Sequence, residues 1–258
     1  MIVVCWKWVT TSDERSAGIS AADEAALEVA LQLAATTDDD DVVVICVGPA
    51  ESERGLREAL AAGAARAVRV DAQDGLVSAA VASAIAAFAR GARWVWCGDA
   101  SADRGTGSVP AFLAAELGAA QALGLVAVDL EAARVTGTRR LDGGRREVLS
   151  VTAPAVLSVE GAVARLRRAS LTAELDARHA PIDVQPGPPG PLERADAVRP
   201  FRPRARERSS PSGDPLHRVR ELTATAGAPR HTDVVTLDPA AAADRILAAM
   251  RDWGYLDR

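Results

Sequence analysis

Cysteine and histidine are scarce in this sequence, and their positions argue against a metal site or a histidine general base. The chain has 258 residues, of which three are cysteines and three are histidines. No two cysteines form a C-x-x-C pair, and each lies in or at the end of an apolar run, so we expect buried thiols in strands. All the histidines fall in the last third, away from the strand ends that would form a pocket. These residues are Cys5, Cys46, Cys97, His179, His217 and His231.

Long apolar runs and an excess of basic residues are also absent. No stretch approaches the roughly 18 uninterrupted apolar residues of a membrane span, and the first residues enter an apolar strand without a basic leader. We therefore expect a cytoplasmic location. The net charge of -5 disfavours a general nucleic-acid binder. A local basic run is interpreted as a solvated tail. It comprises Arg194, Arg199, Arg202, Arg204, Arg206 and Arg208.

The sequence is rich in apolar runs that alternate with helical patterns. Hydrophobic residues make up 48% of the chain, which suffices for a large core. Ser20 to Asp23 resembles a capping box, and Gly63 is predicted to end a helix. Four successive strand-then-helix units predict a parallel sheet buried on both faces, in an α/β fold of three layers. The predicted strands cover residues 2–6, 42–47, 67–70 and 94–97.

The pattern changes after residue 118. Short strand-like runs and the turn residues Asp142-Gly143-Gly144 predict an antiparallel hairpin extension, with residues 155–159 as a further strand. The segment from Pro181 to Pro215 holds nine of the 14 prolines, so we expect an extended arm there. Beyond it, Asp238-Pro239 predicts the start of a short amphipathic helix. We divide the chain into an α/β domain, residues 1–184, and a linker with a C-terminal arm, residues 185–258.

The most informative stretch is the glycine-containing loop between the strand that ends at Gly98 and the helix that begins near Val109. Such a loop, at the carboxyl end of a parallel strand, presents backbone N–H groups and the positive end of a helix dipole, which suit a phosphate. Thr106 adds a hydroxyl donor, and Gly105 and Gly107 permit close approach of the backbone. The alternative is an ordinary loop without a ligand.

The order and spacing of these motifs resemble the beta subunit of electron transfer flavoproteins. The resemblance spans about residues 1–184 well and the C-terminal arm loosely. It implies a Rossmann-like, adenine nucleotide alpha hydrolase-like fold with an antiparallel extension. The matching segments are residues 3–9, 23–30, 47–50, 59–64, 98–109, 142–144, 154–157 and 167–171.

The resemblance implies a partner alpha subunit, FAD held mainly by that subunit, and AMP as a possible ligand of the beta pocket. Electrons would pass from a dehydrogenase through FAD to a quinone oxidoreductase. The family's docking leucine matches Leu171, which follows Arg167 and precedes a polar run; its alternative is an ordinary apolar contact. The family's pocket positions fall on Cys5, Ser20, Val47, Gly98, Asp103, Arg104, Gly105, Thr106, Gly107 and Ser108.

Several residues depart from the family pattern. Its Asn-Pro pair is Ser20-Ala21 here, and its Thr-Gly-Gln is Thr106-Gly107-Ser108. A glutamine side chain could reach a phosphate or ribose that the Ser108 side chain cannot. The departures suit a divergent branch, such as the mycofactocin-associated type.

Two other classes stay open. One is a stand-alone adenine-nucleotide-binding protein of the stress type, and the other is an enzyme of the nucleotide alpha hydrolase type. The hairpin and the long arm argue against the first. The second would need a Ser-Gly-Gly-x-Asp loop after the first strand, where this chain has Lys7-Trp8-Val9. No residue is a credible catalytic acid, base or nucleophile, so we expect an electron-carrier subunit rather than an enzyme.

Overall fold

The computed structural model describes residues 1–9, 18–37, 41–72, 76–101, 103, 105–187, 213–223 and 235–252. Contacts within the chain divide it into two compact units, Met1–Ala197 and Val198–Arg258. The boundary expected after residue 184 falls inside a strand of the first unit, Asp183–Pro186.

Within the described residues, the first unit contains a nine-stranded sheet flanked by helices. In chain order its strands are β1 (Ile2–Cys5), β2 (Trp8–Val9), β3 (Gly18–Ile19), β4 (Val42–Gly48), β5 (Arg66–Asp71), β6 (Trp94–Gly98), β7 (Ala120–Glu131), β8 (Arg134–Arg140), β9 (Arg146–Thr152), β10 (Ala155–Val159) and β11 (Asp183–Pro186). Its helices are α1 (Ala21–Ala34), α2 (Glu53–Ala62), α3 (Ser78–Ala89), α4 (Val109–Leu117) and α5 (Leu171–Ala177). Short 3-10 turns cover Ala50–Ser52 and Asp142–Gly144.

The strand order confirms the predicted α/β architecture. The large sheet runs β11-β5-β4-β1-β6-β10-β7-β8-β9, and β2 pairs with β3 in a separate antiparallel ribbon. All pairs from β11 to β7 are parallel, whereas β8 pairs antiparallel with both β7 and β9. The predicted hairpin is therefore confirmed.

One part of the expected antiparallel extension is wrong. We assigned residues 155–159 to that extension, but β10 lies inside the parallel sheet, between β6 and β7. β10 takes this interior position because all five of its residues are apolar or small and are buried. Only the far half of β7, from Leu125 onward, pairs with β8.

The two faces of the sheet carry separate cores because side chains alternate along each strand. Ile2, Val4 and Trp96 pack on one face against α1, while Val3 and Val95 pack on the other against α3 and α4. Burying both faces explains why the central strands are continuous apolar runs.

Predicted helix boundaries have clear local causes. The Ser20 side chain caps α1 by accepting a hydrogen bond from the Asp23 backbone N–H at 3.1 Å. Gly63 ends α2 with φ of 119°, in the left-handed region that glycine tolerates. Residues 51 and 52 belong to a 3-10 turn, so α2 itself begins at Glu53.

The segment before α5 is tied to α1 by an ion pair between the half-exposed Arg167 side chain and the buried Glu28 carboxylate. The Arg167 guanidinium donates two hydrogen bonds to the Glu28 carboxylate, at 2.9 and 3.0 Å, and the Arg167 backbone N–H donates a third at 3.1 Å. Burial raises the pKa of Glu28, but the hydrogen bonds from Arg167 and Gln32 outweigh it, so the pKa is lowered. Removing the Arg167 side chain would leave the Glu28 carboxylate buried without the guanidinium that offsets its charge.

Helix α5 and strand β11 were not predicted. Arg57 of α2 donates hydrogen bonds to the carbonyls of Ala177 and Ala180, both at 3.0 Å, which holds the end of α5 against α2. Strand β11 then adds to the outer edge of β5. The expected arm therefore begins with a strand of the sheet.

The second unit contains two helices in its described part, α6 (Pro215–Thr223) and α7 (Pro239–Asp252). The Asp238 carboxylate accepts the backbone N–H groups of Ala240 and Ala241, both at 3.0 Å, so the predicted cap of α7 is present. The arginine run lies outside the described residues. No helix in the described ranges is long and apolar enough to cross a membrane.

Candidate functional site

A cavity of about 280 Å³ opens at the carboxyl ends of β1, β4 and β6. This is where open parallel sheets bind ligands, because loops diverge there and leave a crevice. One wall is apolar and comes from β4 and α3, and the other comes from the loop that follows β6. The apolar wall consists of Ile45, Val47, Leu76, Val81 and Ile85, and the polar wall includes Ser101, Asp103, Thr106, Gly107 and Ser108.

Most of the predicted pocket residues come together around this cavity. Those that line it are Cys5, Val47, Gly98, Asp103, Thr106, Gly107 and Ser108. Ser20 and Gly105 do not line the cavity. Ser20 is hydrogen-bonded to Asp23, which does line it, and Gly105 directly precedes Thr106, which also lines it. Arg104 lies outside the described residues.

Gly107 fixes the path of the loop by a close backbone contact. Its φ is 56°, and a Cβ atom there would lie 2.4 Å from the carbonyl oxygen of Asp99. Gly105 also has a positive φ, 61°, but its Cβ would meet nothing closer than the Ser101 carbonyl oxygen at 3.8 Å. The sequence predicted that the Gly107 backbone closely approaches a ligand. The structure shows in addition that Gly107 lies close to Asp99 of the same loop.

The loop ends in hydroxyl groups at the start of α4. Ser108 is the residue before the helix, its side chain makes no capping hydrogen bond to α4, and it donates instead to the Thr106 hydroxyl at 3.1 Å. Pro110 follows in the first turn. The first turn of α4 and these two hydroxyls therefore present hydrogen-bonding groups at one end of the cavity.

Lys7 is a site residue that our sequence analysis missed. Its Nζ donates to both carboxylate oxygens of Asp103 at 2.7 Å and to the Ser101 hydroxyl at 3.1 Å. This contact joins the end of β1 to the loop after β6, across 96 residues of sequence. It also offsets the negative charge of Asp103, which would otherwise repel a phosphate.

Asp23 is the second missed residue. It is 6% exposed and lines the cavity from the first turn of α1. Its carboxylate accepts the Gly98 backbone N–H at 3.2 Å and the Ser20 hydroxyl at 3.0 Å. Burial raises the pKa of Asp23 to about 7, against the opposing effect of hydrogen bonds from Ser20 and from the backbone of Gly98 and Lys7.

Both missed residues have a recognisable position in the sequence. Lys7 comes directly after the predicted strand 2–6, and Asp23 is the fourth residue of a predicted capping box. We interpreted Asp23 only as part of that cap. Placement at strand ends was the pattern that could have identified Lys7, because the carboxyl ends of parallel strands share one edge.

Comparison with known proteins identifies the family. A profile described as the electron transfer flavoprotein domain matches residues 7–187, which include the cavity and its loop. This chain belongs to the electron transfer flavoprotein domain family. The match confirms the resemblance on which the sequence analysis relied.

Similar curated proteins are electron transfer flavoprotein beta subunits. The beta subunit of Mycobacterium tuberculosis is 36% identical over 147 residues, which cover 53% of this chain and 54% of the relative. That of Bradyrhizobium diazoefficiens is 31% identical over 162 residues, 62% of this chain and 65% of the relative. That of Methylophilus methylotrophus is 31% identical over 170 residues, 62% and 64% respectively. The chain therefore spans between about half and two thirds of the length of these relatives.

The predicted docking residues of this electron transfer flavoprotein family member lie away from the cavity. Leu171 is 71% exposed and begins α5, so it is not a core residue of the part of the chain that the structure describes. The run after Leu171 is not entirely polar, because Leu175 is a second exposed apolar side chain one helical turn later. Arg167 is bonded to Glu28, as described above.

The buried carboxyl of Asp23 generates a prediction about stability and pH. Between about pH 4 and pH 7 the folded protein keeps a proton on Asp23 that the unfolded chain releases, so stability should fall as pH rises through this interval. Asp23→Asn removes the titration and keeps an acceptor for the Gly98 N–H. Its free energy of unfolding, from urea titrations, should match wild type near pH 4 and exceed it by at most about 4 kcal/mol at pH 8. A difference between Asp23→Asn and wild type that stays constant from pH 4 to pH 8 would contradict the prediction.

Proposed function

We propose that this chain is the beta subunit of a heterodimeric electron transfer flavoprotein, which relays electrons from a dehydrogenase through FAD to a quinone-linked acceptor. The observation that carries the proposal is the family match over residues 7–187, together with the beta subunits among its relatives. In this proposal the chain is a carrier subunit and not an enzyme in its own right. A cytoplasmic location stays a prediction.

The shape of the cavity and the hydrogen-bond donors in its wall suit a nucleotide such as AMP. Its apolar wall, with Val47 and Val81, offers a surface for a purine ring, and its loop wall offers hydroxyls and backbone N–H groups for phosphate. Thr106 and Ser108 would hydrogen-bond the phosphate. The Gly107 backbone would lie beside it. Lys7 would keep Asp103 from repelling it.

Our assignment of FAD rests on the family and on the partner subunit. FAD, when bound in the complex, accepts and donates electrons one or two at a time. The residues of this chain would pack against the partner, keep water from the shared interface and orient the docking helix α5.

The first experiment tests the assignment as a beta subunit. We expect the isolated chain to purify without flavin, and the flavin absorbance to appear only after co-expression with an electron transfer flavoprotein alpha subunit. The physical reason is that the described loops contain a single glycine-containing nucleotide loop, Gly98 to Ser108, which the AMP proposal already uses. The alpha subunit expressed alone is the control. Stoichiometric FAD in the isolated chain would contradict this prediction and favour a flavin in the beta pocket.

The second experiment tests the nucleotide site through Gly107. AMP at about 100 times its Kd should stabilise the wild type by about 2.7 kcal/mol, because it binds only the folded state. Gly107→Ala should lose most of this stabilisation, because the new Cβ collides with the Asp99 carbonyl and displaces the loop. Gly105→Ala is the matched control, since it shares the positive φ without the collision. Thermal melting with and without AMP measures the effect, and a wild type that melts no higher with saturating AMP would refute the nucleotide assignment.

We propose Leu171 as an anchor for the partner dehydrogenase. Its side chain is exposed at the start of a helix that is held rigidly by Ser170, whose hydroxyl accepts the Ala173 N–H at 3.1 Å, and by Arg57 at the far end. Leu175 extends the same apolar surface. Exposed apolar side chains on a fixed helix are typical of interface anchors.

Leu171→Ala should weaken the encounter with the dehydrogenase and leave the fold, the flavin content and the pairing with the alpha subunit unchanged. We expect a higher KM of the dehydrogenase for the complex, by roughly tenfold for a loss of about 1.4 kcal/mol of binding free energy, with unchanged kcat. Val148→Ala is the control, because Val148 is an equally exposed apolar residue on β9, at the opposite edge of the sheet from β11 and β5. Equal effects of both variants, or a lower melting temperature for Leu171→Ala alone, would exclude docking at Leu171.

A further inference from the structure

Two of the three thiols meet on the floor of the cavity. Cys5 ends β1 and Cys97 lies near the end of β6, and these strands are parallel neighbours. Their register pairs Val4 with Trp96, so the next residues along, Cys5 and Cys97, lie opposite each other. Both line the cavity, and neither forms a disulfide in this structure.

The spacing of the strands permits a covalent bond between these thiols. Neighbouring strands lie about 4.7–4.9 Å apart. The Cα atoms of disulfide-linked cysteines are usually about 4.4–6.8 Å apart. Cys97 belongs to the core on the α3 side of the sheet, and Cys5 packs against that same core. A hydrogen bond with the Cys5 thiol, followed by burial, raises the pKa of the Cys97 thiol well above its usual value.

The two thiols differ in access. Cys5 is half-buried and faces the cavity, whereas Cys97 is only 3% exposed. A small oxidant that enters the cavity therefore meets Cys5 first, with Cys97 in contact behind it. An accessible cysteine next to a second, resolving cysteine is the arrangement found in redox-sensitive pairs.

We propose that Cys5 and Cys97 form a reversible disulfide on the floor of the cavity when a peroxide enters it, and that this bond weakens nucleotide binding. The Cys5 sulfur attacks one peroxide oxygen, which breaks the O–O bond, gives a sulfenic acid and releases water. The Cys97 sulfur then attacks the Cys5 sulfur and displaces a second water, so two thiols and one hydrogen peroxide become one disulfide and two waters. A dithiol reductant reverses the reaction.

The bond would act on the residues that shape the cavity. Gly98 follows Cys97 directly and begins the loop, and Lys7 lies two residues after Cys5. The S–S bond, about 2.05 Å long, would draw the ends of β1 and β6 together and so displace the Lys7–Asp103 contact that joins the two loops. The effect on nucleotide binding rests on the proposed function of the cavity, whereas formation of the disulfide does not.

Cys46 provides a matched control. It belongs to β4 and lies in the core on the α1 side of the sheet, with Val42 and Val44. The sheet therefore separates its thiol from Cys5 and Cys97.

The test treats the full chain with hydrogen peroxide and counts free thiols after denaturation. Wild type should fall from three thiols to one and Cys46→Ser from two to none, while Cys5→Ala should keep both of its thiols. Cys97→Ala should lose one thiol, because Cys5 still reacts with peroxide, but its product should be a sulfenic acid and not a disulfide. Dithiothreitol should restore the lost thiols, and mass spectrometry of a non-reduced digest of wild type should find the Cys5 peptide linked to the Cys97 peptide. A wild type that keeps three thiols, a link that involves Cys46, or a link between two chains would overturn the disulfide, and the wild-type digest decides this even if a variant fails to fold.

A second arm, with AMP as the probe, separates the disulfide from its effect on the cavity. AMP should slow the loss of wild-type thiols, and calorimetry should give roughly tenfold weaker AMP binding to the oxidised protein than to the reduced protein. Peroxide treatment should weaken AMP binding to Cys46→Ser by the same factor. It should leave the AMP affinity of Cys5→Ala equal to that of the untreated Cys5→Ala protein. Equal AMP affinity in both redox states would overturn the effect on binding. A disulfide in a protein that binds AMP in neither state would refute the nucleotide assignment and leave the disulfide standing.

Discussion

The close packing of the first turn of α1 against the ends of β6 and β10 is the constraint on which the cavity depends. Gly98 donates its backbone N–H to Asp23, and a Cβ at Gly98 would lie 2.7 Å from an Asp23 oxygen and 3.0 Å from Ala22. A Cβ at Gly161, just after β10, would lie 3.0 Å from the backbone of Ala21. Glycine at both positions lets the helix approach the sheet edge. The loop after β6 consequently leaves the sheet toward α4, and the cavity opens beneath it.

This arrangement offsets the negative charge of the two carboxyl groups at the cavity in different ways. The Asp23 carboxyl lies between the first turn of α1 and the sheet, and its burial there disfavours the ionised form. Asp103, on the open loop, has Lys7 as its partner instead. The protein therefore holds two carboxyl groups in one cavity with little net negative charge below about pH 7, a condition that favours an anionic ligand.

The same rigid framework extends to the surface that we propose for docking. Arg167 fixes the entry to α5 through Glu28 of α1, and Arg57 of α2 fixes its end. The Arg167–Glu28 pair acts mainly on position, because the desolvation of the buried Glu28 carboxylate offsets its contribution to stability. Leu171 is thus presented at a defined point relative to the sheet, although it lies in a segment with few apolar contacts of its own.

The sequence by itself determined the α/β class, the parallel central strands, the cap of α1 at Ser20, the stop of α2 at Gly63 and the loop from Gly98 to Ser108. These features follow from apolar periodicity and from the backbone preferences of a few residues, which act over one or two turns of chain. Only the tertiary structure decided that β10 inserts between β6 and β7 and that β11 joins β5. It also decided that Lys7 meets Asp103, that Arg167 meets Glu28 and that Cys5 lies opposite Cys97. Strand order and register bring those residues together from 90 or more positions apart, and no local pattern specifies such contacts because they depend on how the whole sheet assembles.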